Sequence, residues 1–123
     1  EETASLTVAY DENVLGTADY LAPEQALDSH GVDARADIYS LGCTFYYLLA
    51  GKPPFDEGSV FDKLRAHTSE QAKPLEELRD DVPEEVAKIV RKMMAKRPED
   101  RYQTPAEVAE GGATCLTRPI LRS

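Results

Sequence analysis

Three observations predict an all-α fold for this 123-residue chain. Apolar residues recur at helical spacing in two long stretches. Those stretches are bracketed by recognisable start and stop signals. No run alternates apolar and polar residues as a half-buried strand would.

In chain order, residues 1–16 show no helical period and are expected to be an extended or mobile segment. Ala22-Pro23-Glu24 should open a short helix, because Pro at a first helical position gives up an N–H that would have no partner anyway. His30-Gly31-Val32 should end it. The strongest element is predicted over about residues 34–50, with Asp33 as N-cap and Gly51 just past the end, before Pro53-Pro54 forbids continuation. Ile38, Leu41, Phe45, Tyr46, Leu48 and Leu49 spread around most of its circumference, the pattern of a helix buried on all sides. Residues 59–67 read as a shorter helix capped by Ser59, with Val60, Phe61 and Leu64 on its apolar face. Residues 68–82 are polar and expected to be loop. Pro83 then leads an amphipathic helix on which Val86, Ile89, Val90, Met93 and Met94 form one stripe, while Glu84 and Lys88 can pair on the wet side. The Met pair reads as core filling rather than a binding surface. Thr104-Pro105-Ala106-Glu107 is a capping box opening a last helix, expected to stop at Gly111-Gly112.

The length fits a single domain. Net charge is −9, and it is unevenly placed: the first 34 residues hold eight acidic side chains and no Lys or Arg, while the rest is nearly balanced. Such a segment repels a phosphate backbone, which argues against nucleic acid as a partner. No uninterrupted apolar stretch approaches membrane-spanning length, and no basic-then-apolar leader opens the chain. Cys43 and Cys115 cannot form a disulfide framework, so a reducing cytoplasm is the expected compartment. His30 and His67 have no cysteine nearby, so no zinc site is expected.

Reactive constellations are missing. There is no G-x-S-x-G, no supported Ser/His/Asp set, no P-loop and no G-x-G-x-x-G. Three charged residues nevertheless stand out. Asp37 lies in the first turn of the helix expected to be buried, where a carboxylate must be satisfied by donors. Glu24 follows a Pro at a sharp turn, and Arg101 lies in the loop Arg97-Pro98-Glu99-Asp100-Arg101-Tyr102.

These residues fall in three ordered motifs. GTADYLAPEQ (Gly16 to Gln25) resembles the end of a protein-kinase activation segment, with Ala22-Pro23-Glu24 as the A-P-E signature. DARADIYSLGCTFYYLLAGKPPF (Asp33 to Phe55) resembles the central helix of the kinase C-lobe, and KRPEDRYQT (Lys96 to Thr104) the loop that closes that lobe. The style is similar to bacterial eukaryotic-like Ser/Thr kinases. The resemblance implies a partial kinase domain over 1–110, with activation segment 1–24, helical C-lobe 25–110 and a divergent tail 111–123.

By this resemblance, Thr17 matches the Thr that contacts the catalytic loop, and Ala18, Asp19, Tyr20 and Leu21 match the loop that receives the substrate residue after the phosphorylated one. Glu24 and Arg101 match the buried ion pair of the lobe, and Asp37 the acid that hydrogen-bonds the catalytic-loop backbone. Thr7, Ser5 and Thr3 lie where activating phosphorylation falls, with Asp11 and Glu12 nearby carrying negative charge already. The Gly-rich loop, the V-A-I-K lysine, the H-R-D-x-x-x-x-N loop and D-F-G are missing. No catalytic residue, metal ligand or bound cofactor is therefore expected in this chain. ATP and Mg²⁺ are implied only for the intact kinase. The implied partners are protein substrates and the missing N-terminal part of the kinase. The alternative is a non-catalytic lobe that acts as an interaction module.

Overall fold

A computed structural model describes residues 18–27 and 32–122. The expectations for residues 1–16, Thr17 and the break at His30-Gly31 lie outside the described residues. Helix α1 (Pro23–Leu27) begins as its sequence dictates. The Ala22 amide donates to Gln25 Oε1 at 2.9 Å, and the Gln25 and Ala26 amides donate back to the Ala22 carbonyl. Helix α2 (Ala34–Ala50) starts where the Asp33 carboxylate accepts from the Arg35 amide. It stops at Gly51, whose φ of 82° lets its N–H reach the Tyr47 carbonyl at 2.8 Å, a left-handed conformation natural only to glycine.

Helix α3 (Val60–Ser69) opens with a reciprocal cap between Ser59 and Asp62. A one-turn helix, α4 (Leu75–Leu78), follows within the stretch expected to be loop; Leu75 is the one buried side chain of that turn and draws it onto the core. Helix α5 (Glu84–Met93) has Pro83 as its N-cap and the Glu84–Lys88 pair at 3.4 Å on its wet side. A 3₁₀ turn (Pro98–Asp100) leads to α6 (Pro105–Arg122). The Thr104 hydroxyl accepts from the Glu107 amide, but the Glu107 carboxylate reaches back to the Gln103 amide, one residue earlier than a full capping box requires. The described residues hold helices and no strand. None of the helices is long and apolar enough to cross a membrane.

Helix α2 is central. It packs against α4 and α5, while α5 also contacts α6 and α1 contacts α3. One cluster joins Tyr46, Leu75, Val82, Ala87 and Val90; a second joins Ala22, Ala36, Tyr39 and Cys43, and Met94 touches both. Gly42 sits at the closest approach of α2 and α5: a Cβ there would lie 2.8 Å from Met93 Cβ and 2.9 Å from Met94 Cγ. Alanine normally favours a helix by about 1 kcal/mol over glycine, but overpacking costs about 1–3 kcal/mol. Gly42→Ala is therefore expected to lower stability by about 1–2 kcal/mol, read as a reduced urea midpoint at unchanged slope.

Three expectations need correction. Helix α2 is buried on one flank only: Leu41 is 42% and Leu48 67% exposed. Phe61 is 83% exposed, because α3 turns Lys63, Ala66 and His67 inward and Phe61 lies nearly opposite Lys63 around the helix. Helix α6 also runs through Gly111-Gly112 instead of stopping there. Two glycines at about 1 kcal/mol each are outweighed by the alanines and glutamates around them, and Gly111 leaves room for Tyr102, whose hydroxyl would lie 3.1 Å from a Cβ.

Candidate functional site

The segment Ala18–Leu21 enters as a turn and passes straight into α1, with Ala18 and Ala22 fully covered and Asp19, Tyr20 and Leu21 half-buried. Its anchoring begins at Glu24. The 3₁₀ turn brings Arg101 beneath α1, and the guanidinium donates to both Glu24 carboxylate oxygens, at 2.7 and 2.8 Å. Its remaining N–H groups reach the carbonyls of Ala95, Arg35 and Lys96 at 2.7, 3.0 and 3.1 Å. All five donors of the guanidinium are thereby used, which is what a fully buried Arg requires. Burial pushes the Glu24 carboxyl up, but the Arg101 hydrogen bonds and its own helix-start amide outweigh this and hold it below its usual value.

The Arg101 guanidinium also lies over the Tyr39 ring, 4.9 Å from its centre. Tyr39 Oη meets His67 Nδ1 at 2.6 Å. Burial pushes the Tyr39 phenol up and His67 down to about 4, the latter helped by Lys96 and opposed by the nearby backbone of Ala18 and Asp19. Both groups are therefore neutral, and the imidazole tautomer sets which of them donates; Nε2 meets no hydrogen-bond partner among the described residues. The rings of Tyr39 and Phe55 both meet His67 edge-on. Lys96 stands over Phe55 and donates to the Ala66 carbonyl, with burial lowering its pKa to about 8. Above this layer the Ser40 hydroxyl donates to the Tyr20 carbonyl at 2.6 Å, and Lys63 pairs with Asp19 at 2.8 Å.

Glu24 and Arg101 thus meet directly, and Asp19 and Tyr20 are each tied down. Asp37 is different. Its side chain is exposed and has no hydrogen-bond partner among the described residues, contrary to the buried, donor-satisfied position expected for it. It shares the uncovered flank of α2 with Leu41, Thr44 and Leu48, spaced three and four residues apart and facing away from α4 and α5. Thr3, Ser5, Thr7 and Thr17 lie outside the described residues.

The sequence reading missed Lys63, His67, Tyr39 and Lys96. The available signal was the i, i+3, i+4 spacing of Lys63, Ala66 and His67, but the larger apolar side chains at Val60, Phe61 and Leu64 pointed to the other face. No group of three or more His, Cys, Asp or Glu among the described residues could hold a metal ion, and the Glu24 carboxylate is already engaged by Arg101.

The family model of the protein kinase domain matches residues 3–110. This chain belongs to that family. Over 104 residues it is 42% identical to the serine/threonine-protein kinase PknB of Mycobacterium leprae, covering 85% of this chain and 17% of that protein. It is 46% identical over 95 residues to PknB of Mycolicibacterium smegmatis, covering 77% of this chain and 15% of the relative. A probable serine/threonine-protein kinase of Corynebacterium efficiens is 44% identical over 100 residues, covering 78% and 15%. The chain therefore spans about a sixth of the length of these relatives, and its helices correspond to the helical lobe of the protein kinase domain.

Proposed function

We propose that this chain works as the substrate-docking and scaffold part of a Ser/Thr protein kinase in the cytoplasm, an enzyme that moves the γ-phosphoryl group of ATP to protein hydroxyls. Residues 1–24 serve as activation segment, with Thr7, Ser5 and Thr3 as phosphorylation sites. Thr17 to Leu21 receive the substrate, and Glu24, Asp37 and Arg101 brace the site. ATP and Mg²⁺ supply the phosphoryl group and its charge neutralisation, held by residues outside this chain. The observation that carries the reading is the buried, two-pronged Glu24–Arg101 pair, which locks the docking segment to the lower helices. Asp37 fits the same reading: an exposed acid on an uncovered flank is free to accept backbone N–H groups from a catalytic loop.

Grafting residues 16–104 in place of the matching segment of a PknB kinase domain tests this. The chimera is expected to phosphorylate Ser/Thr peptides, whereas the 123-residue chain alone shows no ATP–Mg²⁺ binding by calorimetry. A chimera that unfolds cooperatively yet transfers no phosphoryl group would overturn the assignment.

A further inference from the structure

Among the described ion pairs, only two have both side chains at most 20% exposed: Arg101–Glu24, at 0% and 20%, and Lys63–Asp19, at 11% and 18%. In every other described pair both side chains are at least 29% exposed, where an ion pair contributes little. Both buried pairs end on the same short segment, yet the kinase reading above assigns a purpose only to the first.

The second pair joins residues 44 positions apart. Lys63 occupies the inner face of α3 beside Ala66 and His67, a position where an ammonium group is tolerated only with a partner. His67 is fully buried, fixed by Tyr39 of α2 and packed on Phe55, so the face of α3 carrying Lys63 is held rigidly. One residue beyond Asp19, the Ser40 hydroxyl of α2 fixes the Tyr20 carbonyl. The turn is therefore pinned from two helices, by an ion pair at Asp19 and a hydrogen bond at Tyr20.

Resting on the kinase reading, we propose that Lys63 is a positioning and specificity residue for substrate: it clamps the Ala18–Leu21 turn to α3 and neutralises Asp19. The turn then offers Tyr20 and Leu21 to the substrate residue that follows the phosphorylated hydroxyl, and takes an apolar side chain there. Without Lys63, the Asp19 carboxylate is freed beside that position. The turn loosens, and a basic side chain becomes the better fit by charge complementarity.

In the complete kinase domain containing this chain, Lys63→Met is expected to raise KM for a peptide with Leu after the target Ser by about tenfold. The ATP KM and kcat should change less than about twofold, and preference should shift toward the same peptide with Arg at that position. Lys63→Arg should restore most of the loss, whereas the double variant Asp19→Asn/Lys63→Met should keep the raised KM but abolish the shift toward Arg, since it leaves the turn unclamped and no carboxylate unpaired. In the 123-residue chain, Lys63→Met should speed amide exchange at Ala18–Leu21 while leaving α5 unchanged. An unchanged peptide KM, or an equal deterioration of ATP KM and kcat, overturns the proposal. A wild-type domain that phosphorylates no Ser/Thr peptide refutes the kinase reading instead. The exchange measurement then still decides whether Lys63 holds the turn, and an unaltered rate at Ala18–Leu21 overturns the clamp.

Discussion

Arg101→Met is expected to remove about 3–5 kcal/mol of stability, the range for breaking one partner of a buried ion pair. The loss is large because the variant strands more than one group. The Glu24 carboxylate stays largely buried without its guanidinium, and the carbonyls of Ala95, Arg35 and Lys96 lose the donors that reach them at 2.7, 3.0 and 3.1 Å. Arg101→Lys should recover only part of the loss, since three ammonium donors on a flexible stem cannot serve five directions at once. Urea unfolding of the three proteins measures this. The double variant Glu24→Leu/Arg101→Met should be less destabilised than the sum of its single variants, because it leaves no buried charge alone. A single-variant loss under about 1 kcal/mol would show that the pair contributes no more than a surface bridge.

Acid should weaken the same region through His67. Its folded pKa of about 4 lies below the ordinary 6.5, so the unfolded chain binds a proton first as pH falls. Stability from the neutral ring is complete above pH about 6.5 and is lost as pH drops toward about 4, by about 3 kcal/mol in all. Between pH 6.5 and 5 the wild-type chain should lose stability at up to about 1.4 kcal/mol per pH unit, before the carboxylates take over. His67→Gln keeps a hydrogen-bonding group for the Tyr39 hydroxyl and should flatten that slope. Parallel stability profiles for the two proteins would refute the assignment.

Helix positions were largely legible because their signals are local. Asp33, Gly51 and Ser59 cap helices where the sequence places them, and the Pro83–Met94 stripe buries Val90 and Met93. Features that depend on distant neighbours were less so. Nothing near Leu41 or Leu48 says which flank of α2 is covered, and nothing near Gly111 says that Tyr102 lies against it. The Glu24–Arg101 pair was readable only through the family motifs, since no spacing rule relates residues 77 positions apart. Lys63 escaped notice because a lysine on a surface helix is ordinarily a solvent-facing residue.

The lopsided cover of α2 has an evolutionary consequence. Its Tyr39–Cys43–Tyr46 side is judged by the helices described here, so substitutions there register in the stability of this lobe by itself. Its Asp37–Leu41–Leu48 side is largely exposed in the described residues, so changes there would register less in the lobe alone and be selected mainly through whatever docks on that flank. One helix is thus subject to two separate sets of constraints, and its residues should vary at two different rates among relatives.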